Sequence, residues 1–96
     1  MNLADLPERR RGQILAVAAK YGARNVRVFG PVARGQAQPD SDVDILVSFE
    51  PGRSLLHHAA LQLELESLLG RSVDIATERG LQPKYRRRIL AEAITL

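Results

Sequence analysis

The chain has 96 residues, enough for one compact domain, and no cysteine, which excludes disulfides, thiolate metal sites and cysteine nucleophiles. Its net charge is only +3, and its 45% apolar content is that of a folded globular protein. No apolar run approaches the roughly 20 residues that span a bilayer. The N-terminal stretch also lacks the apolar segment of a secretory signal. We therefore expect a cytoplasmic protein with no membrane partner.

The first part of the chain predicts a helix followed by a strand. Residues 6–21 carry apolar side chains at helical spacing, with Asp5 and Pro7 as start signals. The alternating segment 25–30 is rich in β-branched residues and ends at Gly30, which is typical of a short strand. A first helix and a short strand are therefore expected.

A loop rich in glycine and proline, residues 31–41, leads into a second predicted strand, residues 41–49. Alternate positions of this strand are apolar and form one face. The other face begins with Asp42 and Asp44, which are spaced i, i+2 and are followed by a buried run. The strand is therefore polar on its second face mainly at its beginning.

A long helix is predicted after the second strand, with Ser54 as its N-cap and Gly70 as its C-cap. We expect it to cover one face of the sheet. Its predicted apolar stripe consists of Leu56, Ala60, Leu61, Leu63, Leu65, Leu68 and Leu69.

The last elements are a third strand, residues 71–77, and a final helix from about Pro83 to Ala93. The strand carries Asp74 near its start. The helix should expose the arginine triplet 86–88. The side chains predicted to be buried on it are Tyr85, Ile89, Leu90 and Ala93.

The element order α-β-β-α-β-α predicts a single α/β domain, residues 1–96, with a mixed three-stranded sheet and flanking helices. The second and third strands are joined by a helical crossover and should be parallel, whereas the first two should pair antiparallel. This topology brings two strand beginnings and one strand end to the same edge of the sheet. The residues expected to converge there are Asp42, Asp44, Asp74 and Gly30.

Three converging carboxylates would repel one another, which would raise their pKa values and destabilise the fold unless a cation compensates. Ligand sets made only of oxygen atoms favour Mg²⁺ or Mn²⁺. The competing interpretation is that Asp42 and Asp44 are only the exposed end of a strand, which is the usual explanation of an isolated D-x-D pair.

The segment "GPVARGQAQPDSDVDILV", residues 30–47, resembles the signature of the polymerase β-like nucleotidyltransferases, in their minimal form the MNT-domain proteins. That family's pattern is G-S, ten residues and D-x-D, commonly with A-R-G and S-D-x-D inside it. The A-R-G at 33–35 and the S-D-V-D at 41–44 match this pattern, and Asp74 fits the third carboxylate on a later strand. The resemblance covers nearly the whole chain and implies the polymerase β-like nucleotidyltransferase fold.

The resemblance also implies the chemistry and the site. Asp42, Asp44 and Asp74 would be the catalytic residues and would hold a pair of Mg²⁺ ions, with Mn²⁺ as the alternative. ATP would be the substrate, and Asp74 would lie beside the attacking hydroxyl and help to remove its proton. For Arg34 a solvated loop position is the competing interpretation. The positions implied for nucleotide binding are Gly30, Pro31, Arg34 and Ser41.

MNT proteins of this size resemble the antitoxin half of bacterial toxin–antitoxin pairs whose toxin is a HEPN-domain RNase. The resemblance implies that AMP is moved from ATP onto a tyrosine of an adjacently encoded toxin, which silences the toxin, and that the two proteins form a hetero-oligomer. A chain of 96 residues has no separate domain that could grip a large acceptor. We therefore expect the acceptor surface to come largely from the partner.

One position departs from the family pattern, because Pro31 stands where the family has serine. Proline lacks the hydroxyl and the N–H, although it suits the first position of a short helix. The departure predicts a weakened nucleotidyltransferase. The alternative is an inactive homologue that neutralises its partner by binding alone.

Two arginine triplets, residues 9–11 and 86–88, are typical of solvated helix faces, and an acidic protein or RNA is the alternative contact. The chain has only two tyrosines and two phenylalanines and shows no stacking motif. Nucleic acid is therefore disfavoured as a direct partner.

Overall fold

The computed structural model describes residues 6–96, so Asp5, predicted to start the first helix, lies outside the described residues. No helix in that range is long and apolar enough to cross a membrane. In chain order the elements are α1 Glu8–Lys20, β1 Ala23–Phe29, α2 Gly30–Arg34, β2 Val43–Phe49, α3 Leu55–Leu69, β3 Val73–Thr77, α4 Pro83–Glu92 and β4 Ile94–Thr95.

The strands form one mixed sheet in the order β3-β2-β1-β4. The predicted parallel pairing of β2 with β3 and the antiparallel pairing of β1 with β2 are confirmed. The predicted number of strands was too small, because β4 also pairs antiparallel with β1 at Arg27–Thr95 and Val28–Ile94. A strand of two residues carries no readable alternation, and its pairing with β1 is what defines it.

Helix α2 was not predicted, since the sequence indicated only a loop over residues 31–41. The helix follows β1 directly, beginning at Gly30, and carries Pro31 in its first turn, where the fixed φ of proline is favourable. Gly35 ends it in the left-handed conformation, with φ 73°. The two residue types that indicated turns thus mark the beginning and end of a short helix.

One face of the sheet forms the hydrophobic core. Val43, Ile45 and Val47 of β2 point to this face and are at most 3% exposed, as the alternation predicted, whereas Phe49 at the end of the strand is partly buried. The opposite face of β2 carries Leu46, which is also fully buried, and Asp44 near the start of the strand. The core side chains on the helices and strands include Ile14, Ala18, Val28, Val43, Ile45, Val47, Leu61, Leu65, Val73 and Ile75.

The predicted apolar stripe of α3 was too wide. Leu61 and Leu65 are fully buried, but Leu56 and Leu63 are 80% and 67% exposed. The helix is apolar around most of its circumference, whereas only one side of it meets the sheet and α1. Apolar character alone therefore overstated how much of α3 is covered.

Helix α4 was predicted to bury four side chains, and none of its residues is fully buried. Tyr85 is 40% exposed, and Ile89 and Leu90 are only partly covered. Polar contacts attach the helix instead. Near its start Arg86 donates to the backbone carbonyl of Glu78, and at its end the carboxylate of Glu92 accepts a hydrogen bond from the N–H of Gly30.

Candidate active site

The strand register brings the predicted site residues to one edge of the sheet. Asp44 is the direct partner of Asp74 across the parallel pair β2–β3, and of Phe29 across the antiparallel pair β1–β2. Gly30 follows Phe29, and Asp42 precedes β2 on the same side of the chain as Asp44. The predicted convergence of two strand beginnings and one strand end is confirmed.

The Gly30 turn lies directly against the carboxylate of Asp44. Gly30 is buried and has a φ of 71°, in the left-handed region that favours glycine. A Cβ atom at this position would lie 2.2 Å from Oδ2 of Asp44, well inside van der Waals contact. The glycine therefore serves the site in two ways, because it turns the chain into α2 and leaves space for the carboxylate.

Asp44 carries the largest electrostatic strain of the site. Burial, together with the nearby carboxylates of Asp74, Asp42 and Glu92, raises the pKa of Asp44 to about 6. The guanidinium of Arg34 acts in the opposite direction. Asp42 and Asp74 are exposed, whereas Asp44 is half-buried. The edge is therefore a concentration of negative charge with its least solvated group in the middle.

A second polar group lies next to the aspartates and joins α2 to α4. The N–H of Gly30 donates to Oε1 of Glu92 at 3.0 Å. Nη1 of Arg34 donates to both Oε1 and Oε2 of the same carboxylate, each at 3.1 Å. Burial raises the pKa of Glu92, but the Gly30 and Arg34 hydrogen bonds and the charge of Arg88 outweigh it, so the pKa is lowered overall. Glu92 is thereby held in its ionised form.

Ser41, predicted to bind nucleotide, is part of the turn before the aspartates. Its hydroxyl accepts a hydrogen bond from the N–H of Gln38 at 2.8 Å, and its carbonyl accepts one from Nη2 of Arg71 at 2.9 Å. These contacts fix the loop that leads to Asp42. Contact with a nucleotide stays a prediction for Ser41 and for Pro31, which lies in the first turn of α2.

The aspartates are neighbours without forming a closed cage. Among residues 6–96 no three acidic, histidine or cysteine side chains are gathered tightly enough to count as a metal-binding group. That the three carboxylates act together on a metal stays a prediction. The donor set nevertheless fits a hard divalent cation, because Asp44 and Asp74 are adjacent oxygen donors, and because burial and the neighbouring carboxylates both disfavour an ionised Asp44 that has no cation beside it.

Glu92 is the site residue that the sequence did not reveal. It is an isolated acidic residue near the C-terminus, shortly after the arginine triplet, and no spacing connects it to the D-x-D segment. Its contacts with Gly30 and Arg34 bridge 62 and 58 residues of chain, respectively. Only the weak hint of one acidic position at the end of a basic helix could have indicated it.

The sequence and the fold both have known counterparts. Residues 11–96 match the model of the nucleotidyltransferase domain family. "Putative protein adenylyltransferase MJ0435" of Methanocaldococcus jannaschii is 40% identical over 82 residues, which cover 85% of this chain and 88% of that protein. Protein adenylyltransferase MntA of Thermococcus cleftensis is 43% identical over 75 residues, covering 78% of this chain and 76% of that protein.

A solved structure described as that of a "putative minimal nucleotidyltransferase" superposes over 100% of this chain and 97% of its own, with a TM-score of 0.85 and 56% identity. A chain of the toxin–antitoxin MntA–HepT crystal structure matches over 93% of this chain and 70% of its own, with a TM-score of 0.70 and 16% identity, which shows a shared fold. A toxin–antitoxin structure with AMP-PNP matches in the same way, with a TM-score of 0.75 and 19% identity. The chain therefore belongs to the nucleotidyltransferase domain family, in its minimal form.

Proposed function

We propose that this chain is a Mg²⁺-dependent protein adenylyltransferase that transfers AMP from ATP to a tyrosine hydroxyl of a HEPN-type toxin and thereby acts as its antitoxin. The observation that carries the proposal is the alignment of Asp44 with Asp74 against the Gly30 turn. Family membership and adenylyltransferase relatives at 40% and 43% identity support the reaction class.

In this proposal Asp44 and Asp74, with Asp42 beside them, hold the metal ions at the sheet edge. Mg²⁺, or Mn²⁺ in its place, supplies positive charge for the triphosphate and the leaving pyrophosphate. The attacking tyrosine oxygen forms a bond to the α-phosphorus while the bond from that phosphorus to the bridging oxygen of pyrophosphate breaks. The exposed carboxylate of Asp74 accepts the tyrosine proton. Catalysis is then mainly positioning and charge stabilisation.

The partner is inferred from the relatives and from the small size of the domain. MntA of Thermococcus cleftensis is named a protein adenylyltransferase. A chain of the MntA–HepT toxin–antitoxin structure has the same fold as this chain. We propose an adjacently encoded HEPN-type toxin as the acceptor and a hetero-oligomer as the working assembly. A cytoplasmic location belongs to the same proposal, because that is where ATP and such a toxin would meet.

The proposal is tested by incubating the chain with ATP, Mg²⁺ and the HEPN-type protein encoded next to it, and recording the intact mass of that protein. Addition of AMP is expected, with its site on a tyrosine. The double variant Asp42→Asn/Asp44→Asn should abolish the addition, whereas Asp40→Asn in the exposed loop should retain it. No addition of AMP at any enzyme concentration would reject the adenylyltransferase function.

Neutralisation by binding alone is the second candidate, and the glycine turn gives a specific reason for it. The N–H of Gly30 is engaged by Glu92, and Pro31 has no N–H, so two backbone groups of the turn are not available to phosphate. The double variant Asp42→Ala/Asp44→Ala separates the candidates. Neutralisation of the toxin in cells should be lost while the complex stays intact, and unchanged neutralisation would favour binding alone.

Pro31→Ser tests whether the departure from the family pattern weakens the enzyme. Serine restores a hydroxyl and an N–H at the start of α2. A hydrogen bond to a charged phosphate made only in the transition state corresponds to roughly 10-fold or more in rate. The AMP transfer rate should therefore rise about tenfold. If both the rate and the ATP affinity stay unchanged, this explanation of position 31 is wrong.

A further inference from the structure

The last residue of α4 connects three parts of the proposed active site. The Glu92 carboxylate, with a side chain only 19% exposed, accepts hydrogen bonds from the Gly30 N–H and from the Arg34 guanidinium. Gly30 in turn lies against Asp44, and the charge of Arg34 is felt by Asp44. We infer that Glu92 is a positioning residue, which holds the Gly30 turn and Arg34 in the arrangement that the nucleotide triphosphate meets. The inference rests on the proposed function.

The first task of Glu92 is to fix the Gly30 turn. Gly30 is buried, and Phe29, the residue before α2, provides no side-chain cap for the helix. A buried N–H without a partner is costly, so the carboxylate of Glu92 acts as a cap supplied from a distant part of the chain. Because Asp44 lies against this turn, a movement of Gly30 would also move the metal-binding carboxylate.

The second task of Glu92 is to keep Arg34 away from the aspartates. Arg34 makes both of its ion-pair contacts with Glu92, although it is close enough to Asp44 to lower the pKa of that carboxyl. Without the Glu92 carboxylate, this guanidinium would still be attracted by Asp44, on which its charge already acts. An arginine that moved onto them would neutralise the carboxylates needed for the metal and would no longer face the triphosphate.

The opposite role for Glu92 predicts an effect of opposite sign. The Gly30 N–H and the Arg34 guanidinium are groups that bind anions, so Glu92 could instead be a competitor that phosphate must displace. Removing its charge would then strengthen nucleotide binding, and simple electrostatic repulsion between Glu92 and a triphosphate predicts the same direction. A positioning role predicts weaker binding.

The experiment is isothermal titration of the metal-loaded chain with AMP-PNP, comparing the wild type with Glu92→Gln. Glutamine keeps the size of the side chain and removes its charge. The matched control is Glu78→Gln, which removes the carboxylate that pairs with Arg27 and Arg86. Glu78 precedes α4 and lies outside the proposed site. The dissociation constant of Mg²⁺·AMP-PNP should rise about tenfold for Glu92→Gln. For Glu78→Gln it should change by less than about twofold.

Two further measurements separate positioning from general destabilisation. Hydrogen exchange of the Gly30 amide should become faster in Glu92→Gln and stay unchanged in Glu78→Gln. Each variant is measured at a temperature the same number of degrees below its own melting temperature. In an Arg34→Gln background, the effect of Glu92→Gln on AMP-PNP binding should become smaller, because one of the two held groups is then absent.

The outcomes are distinct. Tighter or unchanged AMP-PNP binding by Glu92→Gln, while the wild type binds normally, overturns the inference about Glu92 and leaves the proposed function standing. An equal loss of binding in Glu78→Gln overturns it as well, because it would show a general effect of loosening α4. If the wild type itself does not bind Mg²⁺·AMP-PNP, the proposed function fails and the inference fails with it.

Discussion

The two ends of the sheet differ in whether their carboxylates are paired with positively charged side chains. At the aspartate end, formed by Asp42, Asp44 and Asp74, like charges crowd together and the pKa of Asp44 is raised to about 6. At the other end Nη1 of Arg27, on a side chain only 10% exposed, pairs with Oε1 of Glu78 at 2.6 Å. Arg86 of α4 also contacts Glu78. At this second end, called the compensated end below, the carboxylate is paired with arginines of the same chain, whereas the aspartate end contains excess negative charge.

The comparison identifies the aspartate end as the place where the fold contains an electrostatically unfavourable arrangement. A chain selected only for stability has no reason to place two aspartates side by side on paired strands, since like charges directly opposite each other are destabilising. The compensated end shows that the same sheet can pair its buried charges when nothing else is required. Helix α4 touches both ends, because Arg86 binds the Glu78 carbonyl and Glu92 binds Gly30. The strain at the aspartate end is therefore attributed to function.

The largest effect is expected from removing the central charge of the aspartate end. Under the proposed function, Asp44→Asn should lower the rate of AMP transfer to the toxin by about 10³-fold or more, because it removes the central proposed metal ligand. The rate is followed by intact mass of the acceptor protein. Asp40→Asn, in the exposed loop before β2, is the matched control and should retain the wild-type rate. Comparable losses in both variants would contradict the assigned site.

The next largest effect is expected at the glycine turn. Gly30→Ala should lower AMP transfer by about 10²-fold, because the added Cβ would lie 2.2 Å from Oδ2 of Asp44 and displace it. Gly35→Ala is the matched control. Gly35 has a similar φ, 73° against 71°, but no atom within 4 Å of the added Cβ. Both variants should lose stability, by about 1–3 kcal/mol from backbone strain, and only Gly30→Ala should lose activity. An equal loss of activity in both variants would show that backbone strain alone causes the loss.

Much of this arrangement could be predicted from local patterns. The alternation of β2 and the caps of α3 predicted those elements, and the handedness and length of crossovers predicted that β2 and β3 are parallel. From that pairing it follows that Asp44 and Asp74 share an edge with Gly30. These predictions succeeded because each depends on residues close together in sequence or on a general rule of topology.

The features that were missed depend on contacts between distant residues. Glu92 meets Gly30 across 62 residues of chain, and nothing in the composition of α4 distinguishes this glutamate from a solvated one. The strand β4 has only two residues and exists through its pairing with β1. The exposed Leu56 and Leu63 were misassigned because apolar periodicity does not show which part of a wide stripe another element will cover.

The compensated end should matter for stability and not for transfer. Glu78→Gln leaves the buried guanidinium of Arg27 without its charged partner, which should cost about 1–2 kcal/mol of unfolding free energy. Urea unfolding measures this loss. The rate of AMP transfer at a temperature where both variants are folded should stay within about twofold of the wild type. The control is Glu64→Gln, whose ion pair with the exposed Lys20 should contribute less. A loss of transfer in Glu78→Gln would show that the two ends are coupled through α4.

The smallest effect is expected in the pH dependence of the stability of the metal-free protein, and it concerns the aspartate end. Because the pKa of Asp44 is raised from 3.8 to about 6 on folding, this group favours the folded state below its unfolded pKa, and the contribution is lost as the pH rises through about 6. Asp44→Asn lacks this titration. Measured with EDTA, the melting temperature of Asp44→Asn relative to the wild type should therefore increase by a few degrees between about pH 4 and about pH 7. A constant difference for Asp44→Asn would contradict the raised pKa of Asp44 in the folded protein.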